Sequence, residues 1–303
     1  MATAAPASDL NREVLDAALI GDYEAIQALL AKGADPNAKS KFGKSAMMFA
    51  AEGGNIEVVE LLINHGANVN ARSLAGCTTL TYAAENGHHG LVKYILKKGA
   101  KTYPKTRAGW DALAMATRQG HIATVTTLIK YGANTNTSDK DGTTALMAAA
   151  ERDDRKIITL LLNADADLHV RNKDGMSAMM LAACKGHRDT VKLLLKRGAN
   201  PHAVDNDNAT ALFCAAEYGQ TNVIDLLLAH KADINHRNSD GETALFSAVL
   251  NRQSNAVRRL IQRGANIDIK NNKGRTALEL ARATRSLKEI SQVLERAAQK
   301  KKK

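Results

Sequence analysis

Polar and apolar positions along this chain fall into a block that returns every 33 residues. Each block opens on a polar turn built around a glycine. A short run rich in Ala, Leu and Met follows, as in residues 46–51, 145–150 and 211–216. A second glycine breaks that run at 54, 87, 120, 186 and 219, where a left-handed backbone costs glycine nothing. An aliphatic stripe comes next, such as Ile56, Val58, Val59, Leu61 and Leu62, with the spacing of one helix face. A polar crossing such as 70–76 or 136–142 returns the chain to the next block. The pattern predicts pairs of helices joined by β-turn fingers.

The columns of this frame carry neither insertion nor deletion. Gly43, Gly76, Gly109, Gly142, Gly175, Asn208, Gly241 and Gly274 hold the finger position. Ser45, Thr78, Asp111, Thr144, Ser177, Thr210, Thr243 and Thr276 stand just beyond it, where a side-chain oxygen caps a helix. So strict a period defines a repeat architecture, whose stacked units share one continuous core. The predicted organisation is a tail at 1–8, one repeat domain at 9–299 and a lysine tail at 300–303. Within the domain, an N-terminal cap spans 9–42, repeats begin at 43, 76, 109, 142, 175, 208 and 241, and a C-terminal cap spans 274–299.

These residues resemble the ankyrin repeat. Its pattern G-x-T-A-L-x-x-A-A-x-x-G-x-x-x-x-V-x-x-L-L-x-x-G-A-x-x-N matches closely in the units starting at Gly43, Gly76, Gly142 and Gly175. The resemblance implies an all-α solenoid of nine 33-residue units, caps included, that recognises partners with its fingers and short first helices. One departure bears on the joints. The His of the family's Thr-Pro-Leu-His start is replaced by Met48, Met147, Met180, Phe213 and Phe246, which predicts joints built more on apolar packing than on a polar network. A second bears on stability. Asp153, Asp165, Lys231, Arg252 and Arg285 stand where the family has glycine, and a left-handed non-glycine residue costs about 1–2 kcal/mol. The weakest stretch is therefore expected at 151–168, where charge also crowds residues 151–156.

Composition narrows the function. Aromatic residues make up only 4% of the chain, so the core is aliphatic and alanine-rich. Cys77, Cys184 and Cys214 form no CxxC and no even framework, which points to a reducing compartment. Residues 1–8 lack a secretory pattern, and no apolar run approaches the ~20 residues that span a bilayer. A soluble cytoplasmic or nuclear protein, monomeric on its own, is expected.

Candidate chemistry changes little. Residues 38–45 end like a phosphate-binding loop, but Ala38 stands where that loop needs glycine and the segment is a finger in register with seven others. His88, His121 and His187 follow the helix-break glycine, and His65, His169, His202, His230 and His236 also sit at repeat-defined positions near turns. They are read as structural rather than metal-binding. Cys184 and Cys214, in neighbouring short helices, are read as small buried thiols. No catalytic constellation, cofactor or metal site emerges, and no enzyme is expected. The resemblance also implies that Asn37, Asn70, Asn136 and Asn235 match a finger asparagine that is hydroxylated in some relatives. Their plain role is to hydrogen-bond across the turn.

Two surfaces remain. The Asp-Gly turn of the later fingers is missing from the first three, which show Lys41-Phe42, Leu74-Ala75 and Arg107-Ala108, with Trp110 just beyond. Trp and Arg are enriched at binding hot spots, so Trp110, Phe42, Leu74, Lys41, Lys44 and Arg107 form the candidate partner site, with Tyr218 a lesser one. Trp110 either projects from its turn or packs locally on Tyr103 or Pro104. The other surface is basic. Net charge runs −4, +6, −1 and +10 over 1–36, 37–110, 111–240 and 241–303. Arg258, Arg259, Arg263, Lys270, Lys273, Arg275 and Arg282 are the candidate anion binders, for nucleic acid or an acidic membrane surface. Three functions stay open: a protein-binding scaffold or adaptor, a basic docking module, and an inhibitor, regulatory subunit or host-directed bacterial effector.

Overall fold

Ser45, Thr78, Asp111, Thr144, Ser177 and Thr276 each accept a backbone N–H in the first turn of the short helix that follows them. Thr210 and Thr243 stand in the same column without making that bond. In the computed structural model, which describes residues 7–301, the chain is all-α. The inner helices are α1 (Ala7–Ile20), α3 (Ala46–Gly53), α5 (Thr79–Glu85), α7 (Ala112–Gln119), α9 (Ala145–Glu151), α11 (Ala178–Lys185), α13 (Ala211–Glu217), α15 (Ala244–Leu250) and α17 (Ala277–Ala283). Between them lie the outer helices α2 (Tyr23–Ala31), α4 (Ile56–Asn64), α6 (His89–Lys97), α8 (Ile122–Lys130), α10 (Arg155–Asn163), α12 (Arg188–Lys196), α14 (Thr221–Ala229), α16 (Ser254–Gln262) and α18 (Lys288–Lys301). The fingers are β-turns. Among the described residues only isolated bridges, such as Lys39 with Ser45, have strand character.

Two compact units divide these helices. One takes the chain to Lys140 together with Thr159–Ala166; the other takes Asp141–Ile158 and everything from Asp167. The boundary therefore runs through α10. In the first unit α1, α3, α5 and α7 pack in succession, with α2, α4, α6 and α8 behind them. In the second, α9, α11, α13, α15 and α17 do the same, backed by α12, α14, α16 and α18. Buried alanines such as Ala50, Ala83, Ala116, Ala183 and Ala216 let the inner helices approach closely. Burying the aliphatic stripes of the outer helices supplies the main driving force, about 25 cal/mol for each Å² removed from water.

Three expectations need correction. Arg285 is not left-handed. It opens a 3-10 turn, Arg285–Leu287, after an extended Thr284, so the C-terminal cap avoids the strain by changing its loop. Lys300 and Lys301 belong to α18, and Lys301 pairs with Asp268. Of the expected lysine tail, only Lys302 and Lys303 lie outside the described residues. At the other end, α1 already begins at Ala7.

Asp153, Asp165 and Arg252 (φ 59° each) and Lys231 (φ 65°) do take up the left-handed backbone. Asp153 gains an offsetting bond, since the Thr190 hydroxyl donates to its Oδ1 at 2.6 Å. Lys231 is exposed at a turn, so Lys231→Gly is expected to raise stability by about 1 kcal/mol. An unchanged or lower urea midpoint would show that this position carries no strain.

Candidate functional site

The fingertips of the first unit are stitched together by backbone. The Leu74 N–H donates to the Phe42 carbonyl at 3.0 Å, the Arg107 N–H to Ala75 at 2.8 Å and the Lys140 N–H to Ala108 at 3.2 Å. Lys173 to Asp141, Asn206 to Asp174, Ser239 to Asp207 and Asn272 to Asp240 repeat the bond in the second unit. On this rigid ridge Phe42 is 66% exposed and Leu74 57%, far beyond what core residues of a repeat would show. Lys41 and Arg107 are exposed beside them, with the Lys41 ammonium 5.1 Å from the centre of the Phe42 ring. Neither cation meets a carboxylate among the described residues. Four of the predicted partner residues thus share one ridge.

Lys44 and Trp110 lie instead at the foot of the fingers, facing the inner helices. The Lys44 ammonium lies 4.3 Å from the Phe49 ring centre and 4.4 Å from that of Tyr82, and it pairs with Glu52. Its charge is satisfied inside the protein. Trp110 is half-buried. Its ring carries the Arg118 guanidinium at 4.2 Å, while Tyr103 stays 65% exposed. Burial pushes the Tyr82 phenol up to about 12, with the Cys77 sulfur and then the Glu52 carboxylate adding to the effect. It therefore remains a neutral hydrogen-bonding group across the ordinary pH range. Phe49, Tyr82, Arg118 and half-buried Met115 make this an aromatic and cationic inner face. Its signal in the sequence is the short-helix column that runs Phe49, Tyr82, Met115, and the finger columns do not carry it.

Four of the seven predicted basic residues are ion-paired. Arg258 pairs with Glu289 at 2.7 Å, Arg259 and Arg263 converge on Asp225 at 3.2 and 2.9 Å, and Arg282 meets Glu295 at 2.9 Å. Lys270 lies near enough to Glu279 to help hold its carboxyl below the usual range, an effect led by the Thr276 backbone hydrogen bond. Lys273 and Arg275 are exposed and make no ion pair among the described residues. The seven candidates do not form one uncompensated patch.

Family models supply the deciding comparison. Ankyrin repeats (3 copies) match residues 14–106, 101–172 and 164–238, and Ankyrin repeats (many copies) match 226–281. The chain belongs to the ankyrin-repeat family. A comparison with curated proteins finds no match. Ankyrin repeats are generally protein–protein interaction modules and typically non-enzymatic, which makes this chain a binding scaffold with protein partners. No described helix is long and apolar enough to cross a membrane.

Neighbouring repeats meet through the buried Met48, Met147, Met180, Phe213 and Phe246 column, and polar contacts cross between them as well. His88, His121 and His187 each donate from Nε2 to the carbonyl of Glu52, Glu85 and Glu151 at 2.9 Å, and Gln220 does so to Cys184 at 3.2 Å. The finger asparagines also reach the next repeat rather than only their own turn. Asn37 and Asn70 donate to the Gly66 and Gly99 carbonyls and accept from the Asn68 and Lys101 amides. Asn136 donates to Asp165, and Asn235 accepts from the Asn266 amide.

In the second ankyrin unit Cys184 and Cys214 face each other, with Cα atoms 4.5 Å apart, within the span a disulfide can bridge. The two small thiols of neighbouring short helices thus form a close pair that oxidation can link. Their separation of 30 residues, in a 33-residue period, sets the last turn of α11 against the neighbouring α13. Thiol titration after mild oxidation is expected to count Cys77 alone, and all three cysteines after reduction. Three reactive thiols before reduction would rule out the bridge. Tyr218, 55% exposed, lies at the end of α13 in this unit, apart in the chain from the ridge residues.

Proposed function

We propose that this ankyrin-repeat chain is a non-enzymatic scaffold or adaptor, soluble in the cytoplasm or nucleus. Its protein partner seats on the first three fingertips and reaches the inner face of the same unit. The observation that carries this reading is the exposure of Phe42 and Leu74 on a hydrogen-bonded ridge flanked by uncompensated Lys41 and Arg107. A preorganised array loses little conformational freedom on binding, so large fixed side chains retain most of their contact energy. Trp110 with its stacked Arg118 extends the same surface inward.

Basic docking through the C-terminal end has less support, because four of its seven candidate cations are already ion-paired, to Asp225, Glu289 and Glu295. An inhibitor, a regulatory subunit or a host-directed effector would use the same ridge and differs only in the identity of the partner.

The test compares capture from native lysate by the wild type, by Phe42→Ala/Leu74→Ala/Trp110→Ala and by Lys273→Glu/Arg275→Glu, at two salt concentrations. Loss of a hot spot costs about 2 kcal/mol, or roughly thirtyfold in affinity. Protein partners held by the wild type should leave the triple variant and stay on the charge-reversed one. The opposite pattern, with nucleic acid in the eluate at low salt, would replace this reading with the basic one.

A further inference from the structure

The ridge has a chemistry of its own, and assigning a ligand to it rests on the fingertip site proposed above. Over residues 35–45, 68–78 and 101–111 the three fingers carry seven lysines and arginines against Asp35 and Asp111. Neither acid forms an ion pair with them: Asp35 accepts from the Asn37 amide at 2.8 Å, and Asp111 accepts from the Ala114 amide at 2.9 Å and from the Thr137 hydroxyl, so both keep their charge and offset only two of the seven. Arg72 and Lys105 donate to the uncharged carbonyls of Lys105 and Ser138, so those contacts leave their charge in place. Over these three fingers positive charge is thus in clear excess, and among the described residues Lys44 alone of the seven forms an ion pair, with Glu52. In their midst stand Phe42 and Leu74. Gly43 permits that pairing, since a β-carbon there would come within 2.9 Å of the Leu74 nitrogen.

We infer that the ridge takes an acidic polypeptide segment carrying one bulky aliphatic or aromatic anchor. The anchor seats against Phe42 and Leu74, and flanking Asp or Glu side chains face Lys41 and Arg107. Charge complementarity selects the acidic flanks and steers encounter, while the fixed apolar pair selects the anchor. Nucleic acid suits the site less well. Leu74 offers no ring for a base to stack on, and Phe42 alone is a poor platform. A bilayer suits it less well too, because half-buried Tyr82 and Trp110 lie at the foot of the fingers, where an extended chain can reach and a flat surface cannot.

The experiment selects a phage-displayed random peptide library on the full chain and measures the best peptide by fluorescence anisotropy. Wild type is compared with Phe42→Ser/Leu74→Ser and Lys41→Glu/Arg107→Glu, with circular dichroism confirming that these exposed positions leave the fold intact. Enriched peptides should be net acidic with one Leu, Ile, Phe or Trp. Their affinity should fall roughly thirtyfold in the apolar pair, at least about tenfold in the charge-reversed pair and further with added salt. Neutral or basic peptides that still need Phe42 and Leu74 would overturn this chemistry and leave the fingertip site standing. Peptides indifferent to both variants would overturn the site as well. Failure to enrich any peptide, or capture of phosphatidylserine vesicles or single-stranded RNA with the same sensitivity to these variants, would overturn the acidic-segment assignment.

Discussion

Phe246→Ala is expected to destabilise the protein by about 3–5 kcal/mol, a large fraction of what typically holds a folded domain together. Phe246 is 1% exposed and among the largest side chains fully enclosed in the core. It projects from α15, which packs against α13, α16 and α17. A repeat touches only its neighbours, so a cavity at this joint cannot be relieved by contacts elsewhere in the stack. The damage should concentrate toward the C-terminal cap, which is held to the rest of its unit through α15 and α16. Urea unfolding would show the lower midpoint, and hydrogen exchange would show residues 274–301 losing protection first. Phe246→Met supplies the control. Met48, Met147 and Met180 fill the same column and are no more than 1% exposed, so methionine should cost under about 1.5 kcal/mol. Equal losses from Ala and Met would mean that ring volume does not hold this joint.

The same column shows why so much of the fold was legible in the sequence. A residue that recurs at one step has one environment, so the period alone assigns Met48 and Phe246 to the core, and Phe42 and Leu74 to the tips. Caps were legible for a local reason, since the oxygen and the amide it binds lie within one turn. Pairing between repeats was harder to see. Arg263 meets Asp225 38 residues away, so the net charge of +10 over the last 63 residues left out the acid that holds Arg259 and Arg263, and it did not show that Arg258 pairs with Glu289 31 residues on. Lys44 was misjudged in the same way: its finger position was clear, but its partners Glu52 and Tyr82 lie on two different inner helices. The close approach of Cys184 and Cys214 was legible in principle. A separation just short of the period places residues opposite one another, as it does Glu52 and Tyr82.

This geometry bears on how the scaffold holds its tips in place, and Gly175→Ala tests it most sharply. Gly175 has φ 78°, and a β-carbon there would lie 2.6 Å from the Asn206 nitrogen and 2.9 Å from the Asp205 carbonyl carbon. Two costs combine. The left-handed backbone costs alanine about 1–2 kcal/mol, and forcing backbone away from backbone adds about 1–3 kcal/mol. That displacement would also strain the 3.1 Å bond from the Asn206 amide to the Asp174 carbonyl. Gly198→Ala separates the two contributions, because its φ is 98° yet nothing lies within 4 Å of the added carbon. Asn208 shows that the finger column tolerates a side chain when it gains a bond in return, for its Nδ2 donates to the Arg237 carbonyl at 2.8 Å. Alanine can make no such bond. Chemical denaturation should therefore place Gly175→Ala well below Gly198→Ala in stability; equal midpoints would mean that φ alone sets the glycine requirement and that the fingertips are free to part.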